Sequence, residues 1–278
     1  MAIVLALLSS AIWGTSDFCG GTLSRRRPAI AVVTLSSVIG VVTITVAATL
    51  AGKLTADTGY VGWGLLASLA GSIGIVAFYQ ALATGTMGVV APIAALGVVV
   101  PVVVGLAQGN RPGLAQDAGI AIAIVGVVLA SGPELQQGAD PRAAARPLLL
   151  AGVAAAGFGV VFVALAHGAE TSTAMTLLVM RATSAVAMTG VSLATATSLR
   201  FARADVPLLL VVGVFDLAAN VTFAYASRHG LLAVVSVLSS LYPAVTVLLA
   251  RILHAERLAR VQLVGVAAAV CGVVLIAS

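Results

Sequence analysis

The sequence predicts an all-α integral membrane protein of ten transmembrane helices, arranged as two inverted five-helix repeats. Three observations carry this reading. Of 278 residues, 61% are hydrophobic and 8% charged, with mean hydropathy +1.17, a composition foreign to ordinary soluble domains. Apolar stretches long enough to cross a bilayer follow one another with only short polar breaks. The chain also repeats itself. At an offset of 145 residues Trp13-Gly14 falls on Phe158-Gly159, Ala11 on Ala156, Phe78 on Phe223, Ala81 on Ala226 and Gly85 on Gly230. The phrase Gln116-x2-Gly119-x6-Gly126-Val127-Val128-Leu129 returns, one position later, as Gln262-x2-Gly265-x6-Gly272-Val273-Val274-Leu275. Duplication inside a membrane points toward transport.

The elements follow in order. Residues 2–22 resemble a signal peptide's apolar core but lack a basic start and run on through Trp13 toward Cys19, which predicts an uncleaved first helix. Further spans are predicted over 30–50, 60–83, 87–107 and 114–131, closing a first repeat at residues 1–131. Residues 132–146, too short for a soluble domain, form the linker loop. The second repeat, 147–278, holds spans at 147–168, 172–198, 205–227, 231–253 and 260–277. Strands are excluded because barrel segments alternate apolar and polar residues and these do not. An odd number of helices per repeat turns the halves upside down relative to each other.

The basic residues are scattered over short loops, so a net charge of +5 reads as topology and not as nucleic-acid binding. Loops after odd-numbered helices carry Arg25, Arg26, Arg27, Arg142, Arg146, Arg200, Arg203, Arg251, Arg257 and Arg260, against Lys53, Arg111 and Arg228 on the other side. That bias places the first set in the cytoplasm and both termini outside.

Ionisable side chains near mid-bilayer cost about 2.5–3.5 kcal/mol each on insertion scales, so each needs a reason. Asp216 lies at the centre of the eighth span with Asn220 one turn on, and Arg181 lies deep in the seventh. They read either as a structural ion pair or as a substrate or proton site. In the first span Ser9, Trp13, Asp17 and Gly20 recur at helical spacing, and Ser68, Ser72 and Tyr79 form a similar stripe in the third. Such stripes face water or other helices, and small residues in them often serve close packing. The ninth span holds Ser236, Ser239, Ser240, Tyr242 and Pro243, and the fourth holds Pro92 and Pro101. Proline-interrupted helices at matching positions of two halves point to a midplane binding site. Trp13, Tyr79, Phe158, Asn220 and Tyr242 are the candidate cavity residues, Asp17, Asp216 and Arg181 the candidate charge or coupling residues, and Pro92, Pro101 and Pro243 the candidate helix breaks.

His167, His229 and His254 lie near helix ends, and Cys19 and Cys271 read as small apolar fillers, so no metal or cofactor is expected. Neither a Gly-x-Ser-x-Gly elbow, a His-Glu-x-x-His pair nor a Walker-type Gly-Lys-Ser/Thr occurs. Enzymatic work is therefore not expected, although a membrane-embedded lipid-modifying enzyme and a non-transporting scaffold are the alternatives to transport. Gly105-x3-Gly109 serves a homodimer or internal packing equally well.

Ten short-looped helices in two halves, Trp13-Gly14 in the first, and Glu256-Arg257-Leu258…Gln262…Gly265…Gly272-Val273 at the end resemble the EamA family of the drug/metabolite transporter superfamily. Arg181 stands where such halves carry an arginine early in their second helix. Ala255 replaces a common Gly, Asn110-Arg111-Pro112 lacks the acidic residue, and Ser36 occupies the position matching Arg181, so the second half is the more typical. The resemblance implies a multi-pass carrier of the plasma (inner) membrane that exports or exchanges small polar or amphipathic solutes by alternating access. Its partners would be the solute, the lipid bilayer and, for a coupled carrier, protons. It also implies cytoplasmic termini, against the charge count, and orientation stays open here.

Overall fold

In a computed structural model, residues 1–55, 57–85, 87–109, 113–130, 141–253 and 260–277 are described. All regular structure among them is helical: α1 (Ala2–Ser24), α2 (Ala29–Leu50), α3 (Val61–Thr84), α4 (Met87–Ala95), α5 (Val99–Ala107), α6 (Leu114–Ala130), α7 (Pro141–Ala194), α8 (Val206–Ser227), α9 (Leu232–Ser239), α10 (Tyr242–Leu253) and α11 (Arg260–Ala277). Seven stretches among the described residues are long and apolar enough to cross a membrane. The solvent logic is that of a lipid-facing bundle. Leu50, Leu69, Val186 and Leu193 stand exposed, while Ser9, Ser16, Ser68, Ser72, Arg181 and Asn220 are buried.

Hydroxyls join the helices. Ser9 Oγ donates to Ala219 O (2.9 Å) and Ser16 Oγ to Val212 O (3.2 Å), fastening α1 to α8. Ser72 Oγ donates to Ser184 Oγ, and Ser68 shares a hydrogen bond with the same hydroxyl, both at 3.0 Å, fastening α3 to α7. Thr246 Oγ1 donates to Gly14 O at 3.1 Å, from α10 to α1. The Ser9, Ser68 and Ser72 hydroxyls of the stripes seen in the sequence thus bond neighbouring helices.

The two ends of the bundle are marked by contacts. At one, Gly230 packs on Ala2, Gly59 on Thr171, Trp63 stacks on His167 at 4.8 Å, and the Gln108 amide lies 2.7 Å from His167 Nε2. At the other, Gly85 packs on Pro147, and Arg27 donates through Nε (3.0 Å) and Nη2 (2.8 Å) to Asp205 Oδ2 while lying over the Phe201 ring. Arg25, Arg26, Arg146, Arg200, Arg203 and Arg260 belong to this second end by their place in the chain, and Lys53 and Arg228 to the first.

Several details differ from the sequence reading. Residues 141–146, assigned to the linker, already begin α7, while 131–140 lie outside the described residues. α7 breaks at Ser172, whose φ of −161° and ψ of 110° interrupt the helix where two separate spans are expected. Its end is at Ala194 and not 198, because the Thr197 N–H donates back to Ser192 O and Ala196 turns out at φ 49°. Pro92 sits inside α4, and the break follows it as a single 3-10 turn over Leu96–Val98; Pro101 and Pro243 instead occupy the first turns of α5 and α10. Proline at a first turn lacks an N–H that would have no partner anyway, so these two permit the restart. Gly109, at φ +87°, lies past the end of α5, so Gly105-x3-Gly109 is not a continuous packing face. Cys19 is buried as expected, but Cys271 is exposed, so only the first is a core filler. Arg111, His254 and Glu256-Arg257-Leu258 lie outside the described residues.

Ala196 occupies the left-handed position that glycine favours at a helix end, and Gly52 does the same job after α2 at φ +60°. Ala196→Gly is expected to raise stability by about 1 kcal/mol by removing the Cβ–carbonyl conflict. Thermal unfolding in detergent reads this out; an unchanged or lowered midpoint contradicts it.

Candidate functional site

A cavity lies between the helices at mid-span. Trp13, Tyr79, Phe158, Asn220, Tyr242, Asp17, Asp216 and Arg181 all line it. Pro92, Pro101 and Pro243 do not, although Tyr242 reaches it from just beyond the α9–α10 break. The sequence reading missed Phe162, Ser184 and Ser37. Helical spacing holds the signal for the first two, since Phe162 follows Phe158 by four and Ser184 follows Arg181 by three.

The lining is organised about the repeat. At offset 145, Trp13 pairs with Phe158, Asp17 with Phe162, Ser36 with Arg181, Gly71 with Asp216 and Ile75 with Asn220, and every member of these pairs lines the cavity. The halves therefore meet at one place with opposite character. The second half supplies the ion pair, and the first supplies the other carboxylate.

Asp216 is fully engaged. Its Oδ1 accepts from Trp13 Nε1 at 3.1 Å and Asn220 Nδ2 at 3.4 Å, and its Oδ2 forms an ion pair with Arg181 Nη2. Asn220 Nδ2 also donates to the Asp216 carbonyl at 2.6 Å, which holds the amide and leaves Asn220 Oδ1 without a partner among the described residues. Tyr242 Oη is likewise buried without a hydrogen-bond partner among the described residues. Arg181 runs its side chain across Gly40 of α2, where a Cβ would stand 3.1 Å from Arg181 Cδ. Asp17 is the contrast. It is 5% exposed, it lines the cavity, and no hydrogen bond to its carboxylate is present among the described residues.

Two aromatic layers flank the cavity. Toward the Ala2 end, Trp13, Phe162 and Phe223 stack with ring centroids 5.4, 5.9 and 4.7 Å apart. One helical turn beyond Phe162 and Phe223, Ala166 and Ser227 line a second, polar pocket with Gln108, His167, Glu170 and Arg228. Toward the Arg27 end, Phe78 meets Phe158 at 5.4 Å and Tyr242 at 6.3 Å. At offset 145 the first trio maps onto Phe158, Asp17 and Phe78, so a carboxylate replaces one ring of the second layer.

A helical membrane protein whose two halves enclose a mid-span cavity of aromatic walls and a few buried charged groups is the class that fold and site define. The chain belongs to the EamA-like transporter family, whose pattern it matches over residues 1–132 and again over 145–278. It is thus a multi-pass membrane transporter of small solutes, in keeping with the resemblance drawn from its sequence. A crystal structure of another protein, 20% identical, shares the fold with a TM-score of 0.74 over 98% of this chain and 96% of that one. No curated protein matches the chain in sequence.

Proposed function

We propose that the chain is a secondary transporter that moves small polar or amphipathic metabolites by alternating access through this cavity. The observation that carries the reading is the convergence of buried polar and charged side chains from both repeats on one mid-span cavity, between two aromatic layers. In this reading α4 with α5 and α9 with α10 each make one broken span, α7 makes two, and the total is ten in two inverted halves of five, 1–131 and 147–278. Matched contacts support the inversion. Gly14 packs on Tyr242 and Val245, Gly159 packs on Gly97 and Val100, and the two sets are again 145 positions apart.

The Trp13–Phe162–Phe223 layer acts as the gate toward the Ala2 end, and the Phe78–Phe158 layer as its counterpart. Three donors engage the Asp216 carboxylate, whereas Asp17, whose carboxylate has no hydrogen bond among the described residues, is the residue that exchanges a proton during the cycle. The arginine-rich end faces the cytoplasm of a plasma (inner) membrane by the positive-inside rule.

The test is solute flux in proteoliposomes, with Ser36→Cys as the reporter in a background carrying Cys19→Ala and Cys271→Ala, since Ser36 lines the cavity from α2. Saturable flux is expected, blocked by an impermeant thiol reagent, with uphill movement under an imposed pH gradient. A Ser36→Cys variant whose thiol never reacts, and which shows no flux, removes the transport reading; flux indifferent to the gradient removes only the coupling.

A further inference from the structure

We propose that the cavity binds an organic cation, its ammonium group seated at Asp17 and its apolar body lying against the rings of Trp13, Tyr79, Phe158 and Tyr242. The proposal rests on the transport reading and names the chemical class of its solute.

The charges of the lining decide the sign. The cavity holds two carboxylates, Asp17 and Asp216, and one guanidinium, Arg181. Arg181 is taken by Asp216, which Trp13 and Asn220 satisfy further. Asp17 is left buried with no donor among the described residues, and a buried charge without a partner is unfavourable. What enters must bring positive charge, or a proton must take its place. An anion would meet Asp17 and find the cavity's guanidinium already engaged.

The unpartnered polar atoms say the same. Asn220 Oδ1 and Tyr242 Oη are orphaned, in side chains 2% and 4% exposed that line the cavity beside Asp17. An amide oxygen accepts, a phenol oxygen can accept, and an ammonium has donors only. Arg181 Nε and Nη2 also lack hydrogen-bond partners among the described residues, but Nη2 is held in the ion pair with Asp216 and Nε lies against Gly40 of α2, so neither argues for an acceptor-bearing solute. The rest of the wall is aromatic and aliphatic: Trp13, Tyr79, Phe158, Phe162 and Tyr242 line it together with Ile75, Val161 and Met180, and aromatic rings attract a cation placed over them. A cation with an aromatic or branched apolar body satisfies both features at once.

The experiment uses size-matched probes on the purified full chain in detergent: 2-phenylethylammonium and benzyltrimethylammonium as cations, 2-phenylethanol as the neutral form and 3-phenylpropanoate as the anion. Isothermal titration is expected to show 2-phenylethylammonium, whose N–H groups can donate, binding roughly 10-fold or more tightly than either isostere, the size of effect a charge-assisted hydrogen bond gives, with benzyltrimethylammonium held by charge and ring contacts alone. Asp17→Asn should remove that preference and Asp17→Glu should keep it. Neutral or anionic probes binding as well as the cations, or cation affinity unchanged in Asp17→Asn, would overturn the assignment. So would no binding of either cation. Should Asp17→Asn fail to fold, the cation-to-isostere ratio of the unaltered protein decides alone, and a ratio near one sinks the idea. Flux in proteoliposomes separates this from the parent reading. Flux of neutral or anionic solutes without cation binding removes the cation seat and leaves transport, whereas cation binding without flux of any solute does the reverse.

Discussion

Arg181→Met is expected to lower stability by about 3–5 kcal/mol, the usual penalty for stranding one member of a buried ion pair. Asp216 keeps its hydrogen bonds from Trp13 and Asn220 in that variant but loses the guanidinium. Both side chains are well shielded, at 9% and 21% exposed, so solvent would not replace the lost charge. The double variant Arg181→Met/Asp216→Leu removes both charges and should regain most of the loss, because apolar replacement of a whole buried pair is often neutral or better. It should nevertheless transport poorly, since Trp13 Nε1 and the Asn220 amide would have lost the carboxylate that orients them. Thermal unfolding and flux, measured on single and double variants together, check this. A single variant as stable as the unaltered protein contradicts the pairing, and a double variant with normal flux contradicts the orienting role.

The second large effect is expected at two glycines. A Cβ at Gly14 would stand 2.5 Å from the Tyr242 carbonyl oxygen and 2.6 Å from Val245 Cβ, and one at Gly159 2.5 Å from the Gly97 carbonyl oxygen and 2.7 Å from Val100 Cβ. Backbone oxygens cannot swing aside, so α1 must separate from α10, and α7 from the 3-10 turn and α5. Overpacking of this kind costs about 1–3 kcal/mol. The contacts also join each broken span to the first helix of the opposite repeat, where alternating access requires one body to rock on another. Gly14→Ala and Gly159→Ala should therefore each cut flux by more than they cut solute binding. Gly190→Ala, in α7 with nothing within 4 Å of the added carbon, is the control and should be silent or mildly stabilising. Equal flux in all three variants would remove the glycines from the mechanism.

How much of this was legible differs by kind of residue. The eight aromatic and polar candidates were visible because each is expensive or unusual in an apolar span, and all of them line the cavity. Ser9, Ser68 and Ser72 looked equally functional, yet all three bond neighbouring helices and only Ser72 also lines the cavity. A hydroxyl that fills a packing seam and one that faces a solute have the same spacing along a helix. Pro92, Pro101 and Pro243 marked the right helices but not the break itself, because a proline is tolerated in a first turn or where neighbouring backbone compensates. Phe162 went unnoticed because one more phenylalanine in a hydrophobic span carries no cost to explain.

The chain's own composition and its offset of 145 determined that it lives in a membrane and is built twice, since hydropathy and internal similarity are properties of a string. Family membership followed from the same string. Which buried charges neutralise each other was decided only by the tertiary structure. Arg181 stands 35 positions before Asp216 and Trp13 stands 203 before it, and nothing in sequence spacing brings α1, α7 and α8 to one carboxylate. The same packing left Asp17 without a hydrogen-bond donor among the described residues, and a charge is paired or unpaired by distance in space, which only the folded bundle sets.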